Sequence, residues 1–415
     1  MFEYDDQWLD HPDAFALDPA NLPLNVGPIY TTSHKSALHG ALRDTAPDRW
    51  GQQLIRRAFR KAGEERTLSE IDYLLAITDQ TLIGALRYKR EGEASFDHDI
   101  GHYRVPPLIR LPALMNAADA VQANTETAED LKLLLNEGSP LGGARPKSAV
   151  IDKDGTMSIV KFPKPDDDRS IPHGEVLALT LADKAGVNVS AARIGDVAGR
   201  PIALIIRFDR RDGQRVPFLS AMSLLGLNND GDDATYTDIA ECIRMYSSEP
   251  VADLHELWRR IVFGVLIGNL DDHLRNHGFL YDRDNQWRLS PAYDLNPVPL
   301  AEKARELTTW ISEEGPDADL DIARRAAAHF ALKGDQGERI INDVSAALQG
   351  WKNTARLLGM SAADIGIYAT GGCKFKCVNG WFMSNRHPVS VENNELIQSR
   401  FPVPDRHGPL LRYVA

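Results

Sequence analysis

Three oxygen-bearing side chains stand at telling intervals in the run from residue 268 to 295, G-N-L-D-D-H-L-R-N-H-G-F-L-Y-D-R-D-N-Q-W-R-L-S-P-A-Y-D-L. Asp271 could accept a proton from an attacking hydroxyl. Asn276 offers a neutral amide oxygen to a metal ion, and Asp294 a second carboxylate that would link that metal to nucleotide phosphates. This is the inventory of phosphoryl transfer, which asks a protein for positioning and charge neutralisation rather than covalent chemistry. Asp271 precedes Asn276 by five positions, the spacing of base and metal ligand in H-R-D-x-x-x-x-N. Asp272 is four positions away and is the poorer base on that spacing.

Asp294 must be brought back to the loop for this to work. Residues 277–281 alternate and are aromatic-rich, 282–285 have turn chemistry, and 287–289 read as a returning strand. Such a hairpin carries Asp294 over the site. The competing reading is that the acids merely cap the apolar helix ending at Gly268 and solvate a loop.

Upstream lies G-S-P-L-G-G-A-R-P-K-S, residues 138–148. Gly142, Gly143 and Ala144 would let backbone N–H groups approach phosphate oxygens, with Arg145 and Lys147 adding charge. It is not a Walker A loop, because strands at 149–151 and 157–162, not a helix, follow it. Lys161 closes the second strand, eighteen residues after Gly143, where a kinase keeps the lysine that meets the α- and β-phosphates. Glu175, read as the head of a helix over 175–185, could orient it. A buried strand at 203–206 runs into R-F-D-R-R (207–211), where backbone around Ile206 and Phe208 would hold an adenine at a hinge.

Composition sets the limits. The 415 residues are 43% hydrophobic and 26% charged with net charge −12, enough for two or three globular domains. An acidic chain is a poor nonspecific binder of nucleic acid, so any DNA contact is expected through a partner. Three cysteines, no secretory leader and no apolar stretch of membrane-spanning length predict a cytoplasmic protein.

The expected architecture is α+β and bilobal, protein-kinase-like. Residues 1–100 form a small separate subdomain, with helices within 38–63 and at 70–77 and a strand at 83–88. Residues 101–210 are a β-rich N-lobe in which helices at 114–123 and 127–135 lead to the glycine-rich loop. Residues 211–368 are an all-α C-lobe, and 369–415 a tail. The basic face Arg56, Arg57, Arg60 and Lys61 is read as solvated or partner-binding.

The segments S-P-L-G-G-A-R-P-K-S (139–148), V-K-F-P (160–163), R-F-D-R-R (207–211), G-N-L-D-D-H-L-R-N-H-G-F (268–279) and L-S-P-A-Y-D (289–294) together resemble the HipA family of serine/threonine-kinase toxins from type II toxin–antitoxin modules. The resemblance spans about residues 35 to 367. It implies ATP and Mg²⁺ as cofactors, Asp271 as catalytic Asp, His273 and Arg275 as further catalytic-loop members, Asn276 and Asp294 as magnesium ligands, and Lys161 as the ATP lysine. Ser139 aligns with the loop serine that the family autophosphorylates as an off-switch. The resemblance also implies an aminoacyl-tRNA synthetase as protein substrate, and a HipB-like helix-turn-helix antitoxin as the partner that contacts operator DNA. The chain departs from the family in an opening shorter by one or two strands, in Arg145-Pro146, and in the unmatched tail.

Three other functions compete. A metallohydrolase could use His273 and His277 at i, i+4, but a zincin places Glu where Leu274 stands. A small-molecule phosphotransferase would share the Asp-x4-Asn logic without explaining Ser139. A catalytically inactive co-repressor would not need Lys161, Asp271, Asn276 and Asp294 together.

Overall fold

The structure, a computed structural model, describes residues 1–31, 36–92, 96, 108–136, 145–227, 234–299 and 304–370. Ser139, Gly142, Gly143 and Ala144, and all but the first two residues of the expected tail, lie outside them. The arrangement is α+β and two-lobed as expected, with several revisions.

In the front lobe, β1 (Lys147–Ile151), β2 (Met157–Lys161), β3 (Ala192–Val197) and β4 (Arg200–Ile206) form an antiparallel sheet in the order β1-β2-β4-β3. Strand β3 was not anticipated, because A-R-I-G-D-V is half-exposed at the sheet edge and lacks a clean apolar alternation. Period-two alternation sends Val150, Val160, Ile202 and Leu204 to one face. There they pack on α5 (Leu111–Ala123) and α6 (Ala128–Asn136), joined by Trp50 and Leu54 of α3 (Arg49–Lys61). The opposite face meets α7 (Ile171–Lys184), whose Leu177 and Leu181 share a core with Ile205. Helix α7 starts four residues before Glu175, which is therefore a turn inside the helix and buried, not at its head.

The opening region shares its core with both lobes. Phe2, Tyr4, Leu22, Leu38 and Leu42, with the short helices α1 (Asp6–Leu9) and α2 (Gly40–Arg43), belong to the core of the rear lobe. Helix α3 belongs to the front-lobe core. Phe15 stacks on Tyr281 with centroids 4.0 Å apart, and the Ala16 N–H donates to Asn285 Oδ1 at 2.8 Å. Of the basic face, Arg57 is occupied, bonding Val121 O, Asn124 Oδ1 and Glu126, whereas Arg56 and Arg60 are exposed.

No strand forms at 83–88, beyond α4 (Glu70–Leu75), and the reason is electrostatic. Carbonyls just ahead of this stretch, and those of Gly84 and Leu86 within it, are taken by guanidinium groups of the R-F-D-R-R segment and its hairpin β5 (Arg210–Arg211) and β6 (Gln214–Arg215). Arg207 donates to Thr81 O and Leu82 O at 2.7 and 2.8 Å, Arg210 to Leu82 O and Gly84 O, and Arg215 to Asp79 O. Asp209 accepts from Arg207 Nε and the Gly84 N–H. Gly84 has φ +72° and no room for a Cβ beside Phe218, so no other residue suits the position.

The rear lobe is mainly helical: α8 (Ala221–Leu224), α9 (Tyr236–Tyr246), α10 (Pro250–Ile267), α11 (Leu320–Ala326), α12 (Gln336–Leu348) and α13 (Trp351–Leu357). It also carries an antiparallel sheet of β7 (Phe218–Ser220), β8 (Gly278–Arg283) and β9 (Gln286–Leu289), built on the expected hairpin. The fold continues into α14 (Ala362–Thr370), across the boundary drawn at 368.

Arg207 and Asp209 are both almost fully buried, so Arg207→Met should leave Asp209 to Arg210 and the Gly84 N–H alone and take the guanidinium donor from Thr81 O. A loss of about 1–3 kcal/mol is expected in chemical denaturation, with earlier proteolytic cutting between residues 79 and 88. A variant within about 0.5 kcal/mol of wild type would show that these arginines do not hold the segment.

Candidate active site

Helix α10 is apolar along most of its length and ends at Gly268, whose φ of +73° supplies a left-handed C-cap. A Cβ there would stand 3.1 Å from Val298 O, so the next residues can return closely over the helix end. The loop that follows is pinned from outside. Leu270 O accepts from both the N–H and Oγ1 of Thr308, and Asn269 Oδ1 accepts from the Asn296 N–H at 2.9 Å.

The adjacent acids Asp271 and Asp272 have opposite environments. Asp272 is buried, accepts a hydrogen bond from the Tyr236 hydroxyl, and lies 3.3 Å from His277 Nε2. Burial alone would raise its pKa, but His277 and the Tyr236 bond hold it below the ordinary carboxylate value. Asp271 is exposed. Its carbonyl anchors the turn, accepting from the His273 N–H and from Asn276 Nδ2 at 3.3 Å. Asp272 therefore fixes the loop while the Asp271 carboxylate faces out, as the five-residue spacing requires. Arg275 and His273 are half-buried beside them.

Asp294 comes back to this loop as the hairpin reading expected. The Tyr293 hydroxyl donates to Arg275 O at 2.5 Å, which ties the residue before Asp294 to the residue before Asn276. Asp294 has φ +56°, a left-handed conformation that Asp tolerates better than most side chains. Its Oδ1 accepts from Asn296 Nδ2 at 2.8 Å and from Lys161 Nζ at 2.6 Å. Lys161 Nζ also donates to Glu175 Oε1 at 2.6 Å. One ammonium group thus joins β2, α7 and the rear-lobe segment. Burial would lower its pKa, but Asp294 and Glu175 raise it above the ordinary lysine value. Asp294, half-buried, is driven far below the usual carboxylate range by Lys161 and Lys147.

Lys147 does not stand free on the phosphate-binding side. It is buried directly across the β1–β2 ladder from Lys161 and pairs with Asp48 Oδ2 at 3.1 Å. Burial lowers its pKa, and Asp48 partly offsets this. Asp48 also caps α3 through the Gly51 N–H, so a residue of the opening region compensates a charge beside the site. Ile206 is exposed, with its N–H donated to Ala191 O. Phe208 lies against Tyr293 with centroids 5.2 Å apart, next to Asp294.

Asn276 and Asp294 offer one amide oxygen and one carboxylate, hard donors of the kind magnesium takes together with phosphate oxygens. With Asn276 Nδ2 turned to Asp271 O, its Oδ1 is left as the acceptor, and the Asp294 side chain keeps 27% of its surface open. The residues fit such an ion. No cluster of three or more His, Cys, Asp or Glu ligands occurs among the described residues. Nor is any helix among them long and apolar enough to cross a membrane.

Comparison with known proteins fits this geometry. Residues 139–351, just over half the chain, match the HipA-like C-terminal domain, and residues 1–89 match the HipA N-terminal domain. The chain belongs to the HipA family. Its fold is similar to that of HipA from Shewanella oneidensis, solved with HipB and operator DNA, at TM-score 0.67 and 16% identity over 90% of this chain and 91% of that one. A provisionally named kinase of Sinorhizobium fredii, Y4dM, is 29% identical over 46% of this chain and 49% of its own length. The serine/threonine-protein kinase CtkA of Helicobacter pylori is 24% identical over 39% of this chain and 52% of its own. The chain thus spans about half the length of these two relatives.

Sequence reasoning missed Asp48, Asn269 and Asn296. The two asparagines adjoin the quoted motifs and were visible as polar neighbours. Asp48 lies 99 residues from Lys147 and left no local signal.

Asp294→Asn removes the stronger of the charges that raise Lys161. Lysine reactivity toward an amine reagent rises about tenfold for each unit of pKa lost, so Lys161 labelling at pH 8, read by peptide mass spectrometry, should increase several-fold. Unchanged labelling would separate Lys161 from Asp294 in solution.

Proposed function

We propose that the chain is an ATP-dependent serine/threonine protein kinase, the toxin of a toxin–antitoxin module. The observation that carries this reading is the Lys161 bridge between Glu175 and Asp294, placed over a loop whose exposed Asp271 and inward Asn276 have kinase spacing. Lys161 would meet the nucleotide phosphates, Asp271 would receive the proton of the attacking hydroxyl, and Asn276 and Asp294 would hold magnesium. That ion would neutralise charge on the phosphates. Tyr293 and Asn296 would keep the Asp294 segment over the loop, and Asp272 would keep the loop in place for each turnover.

The wider biology is proposed on the same basis. Structural likeness to a HipA solved with HipB and operator DNA supports a HipB-like helix-turn-helix antitoxin as partner, with DNA reached through it. The net charge of −12 agrees with that division of labour. An aminoacyl-tRNA synthetase is the proposed protein substrate, and Ser139 the proposed autophosphorylation site.

Calorimetry with Mg²⁺ and ATP should show binding to both wild type and Asp271→Asn, with phosphoryl transfer lowered by about 10²–10⁴ in the variant because only the base is lost. Loss of binding as well would mean that Asp271 serves as a ligand instead.

Ser139 has a separate expectation. Phosphorylation adds about −1.5 to −2 charge at pH 7, where the nucleotide's own phosphates must lie. Wild type incubated with Mg-ATP should gain one phosphate on Ser139 and lose activity, while Asp271→Asn stays unmodified. An unmodified, active wild type after long incubation would remove the switch.

A further inference from the structure

Helix α14 lies past residue 351, where the family match ends, yet its contacts converge on the first turn of α7. Ser170 is the N-cap of α7, and its own side chain caps nothing. Its hydroxyl is engaged instead with His173 Nδ1 at 2.8 Å, and His173 Nε2 lies 3.2 Å from Leu358 O, just ahead of α14. The Ser170 N–H donates across to Asp364 Oδ1 at 2.8 Å, and Ser170 O accepts from the Tyr368 hydroxyl at 3.2 Å. Asp364 is itself fixed, its Oδ2 accepting from Ser361 Oγ at 2.6 Å. Arg169 lies 5.5 Å from the Tyr368 ring centroid.

The approach is close as well as polar. A Cβ on Gly174 would stand 2.1 Å from the Tyr368 hydroxyl oxygen, and Tyr368 is 3% exposed, so the ring has nowhere to move without giving up its burial. Glu175 follows immediately, and is the α7 residue that holds Lys161. The cap Ser170, Gly174 and Glu175 all belong to the first turn and a half of one helix, so a shift of α14 at the cap reaches Glu175 through helical backbone.

We infer that α14 is a brace that sets Glu175 against Lys161, with Asp364 and Tyr368 acting as positioning residues for the nucleotide lysine. The inference rests on the reading of Lys161 as a phosphate-contacting residue. An orphaned helix N-terminus on α7 would fray, and Glu175 would leave Lys161 to Asp294 alone.

The test is a double-mutant cycle on the full chain. Asp364→Ala should raise the KM for ATP about fivefold, the worth of roughly one hydrogen bond, with kcat within twofold of wild type. Asp364→Asn, which keeps an acceptor oxygen, should stay within twofold in both. In a Glu175→Gln background Asp364→Ala should change KM less than twofold, because the path it acts through is already cut. The same fivefold rise in both backgrounds, or none in either, overturns the brace.

Hydrogen exchange on the unliganded protein separates this from failure of the kinase reading. The amides of residues 171 and 173–176 should exchange faster in Asp364→Ala while those of α10 and α12 keep their rates. Unchanged rates at 171–176, or protection lost throughout the rear lobe, would overturn the brace whether or not the protein binds ATP. Absence of ATP binding with the local exchange effect intact would instead reject the nucleotide site and the brace's role in it.

Discussion

A buried ammonium ion is tolerable only when carboxylates answer it. Lys161 has two, Glu175 from the front-lobe helix and Asp294 from the rear-lobe return, each at 2.6 Å. Much of the fold serves that meeting. The sheet fixes Lys161 on the α7-facing side, α7 must start early enough to bury Glu175, and the β8–β9 hairpin must bring Asp294 back across the loop. An error in any of these leaves a charge unpaired in low dielectric. The same requirement explains why Asp294 can hold a left-handed backbone, since its carboxylate is bonded on both sides by Lys161 and Asn296.

The opening region is part of this constraint rather than an appendage. Lys147 and Lys161 face each other across one ladder, and like charges directly opposite destabilise a sheet. Asp48 relieves the repulsion from the start of α3, so the sequence before residue 92 supplies a counter-charge to the site. Arg207, Arg210 and Arg215 perform the complementary service, satisfying carbonyls of an irregular segment that would otherwise be buried unmet. The two lobes and the opening region therefore share polar as well as apolar contacts.

What could be read in the sequence follows from the range of the interactions. The catalytic loop, the hairpin behind it and the long rear helices were legible because their signals are local: five-residue spacing, turn chemistry, helical periodicity. Helical periodicity alone predicts helices at 236–246 and 336–348, the bounds that α9 and α12 have. The strand expected at 83–88 failed because its apolar alternation was real, while its hydrogen-bonding partners, arginines more than 120 residues later, could not be inferred. Strand β3 was missed for the converse reason, an edge strand whose pairing partner decides its conformation. Lys147 looked like a phosphate ligand because composition alone reveals no counter-ion. R-F-D-R-R reads as a hinge around Ile206 and Phe208; its charged members also anchor residues 79–84, and Phe208 meets Tyr293 beside Asp294.

Charge balance carries the argument one step further. Around the β1–β2 ladder stand three carboxylates, Asp48, Glu175 and Asp294, against two ammonium groups, Lys147 and Lys161. The protein groups alone thus leave a slight negative excess, and every Lys161 contact is already made to a carboxylate. A polyphosphate entering this setting would have to compete with Asp294 and Glu175 for Lys161. On the proposed reading, nucleotide and divalent cation must arrive together, because the ion that Asp294 and Asn276 would hold is what allows Asp294 to release Lys161.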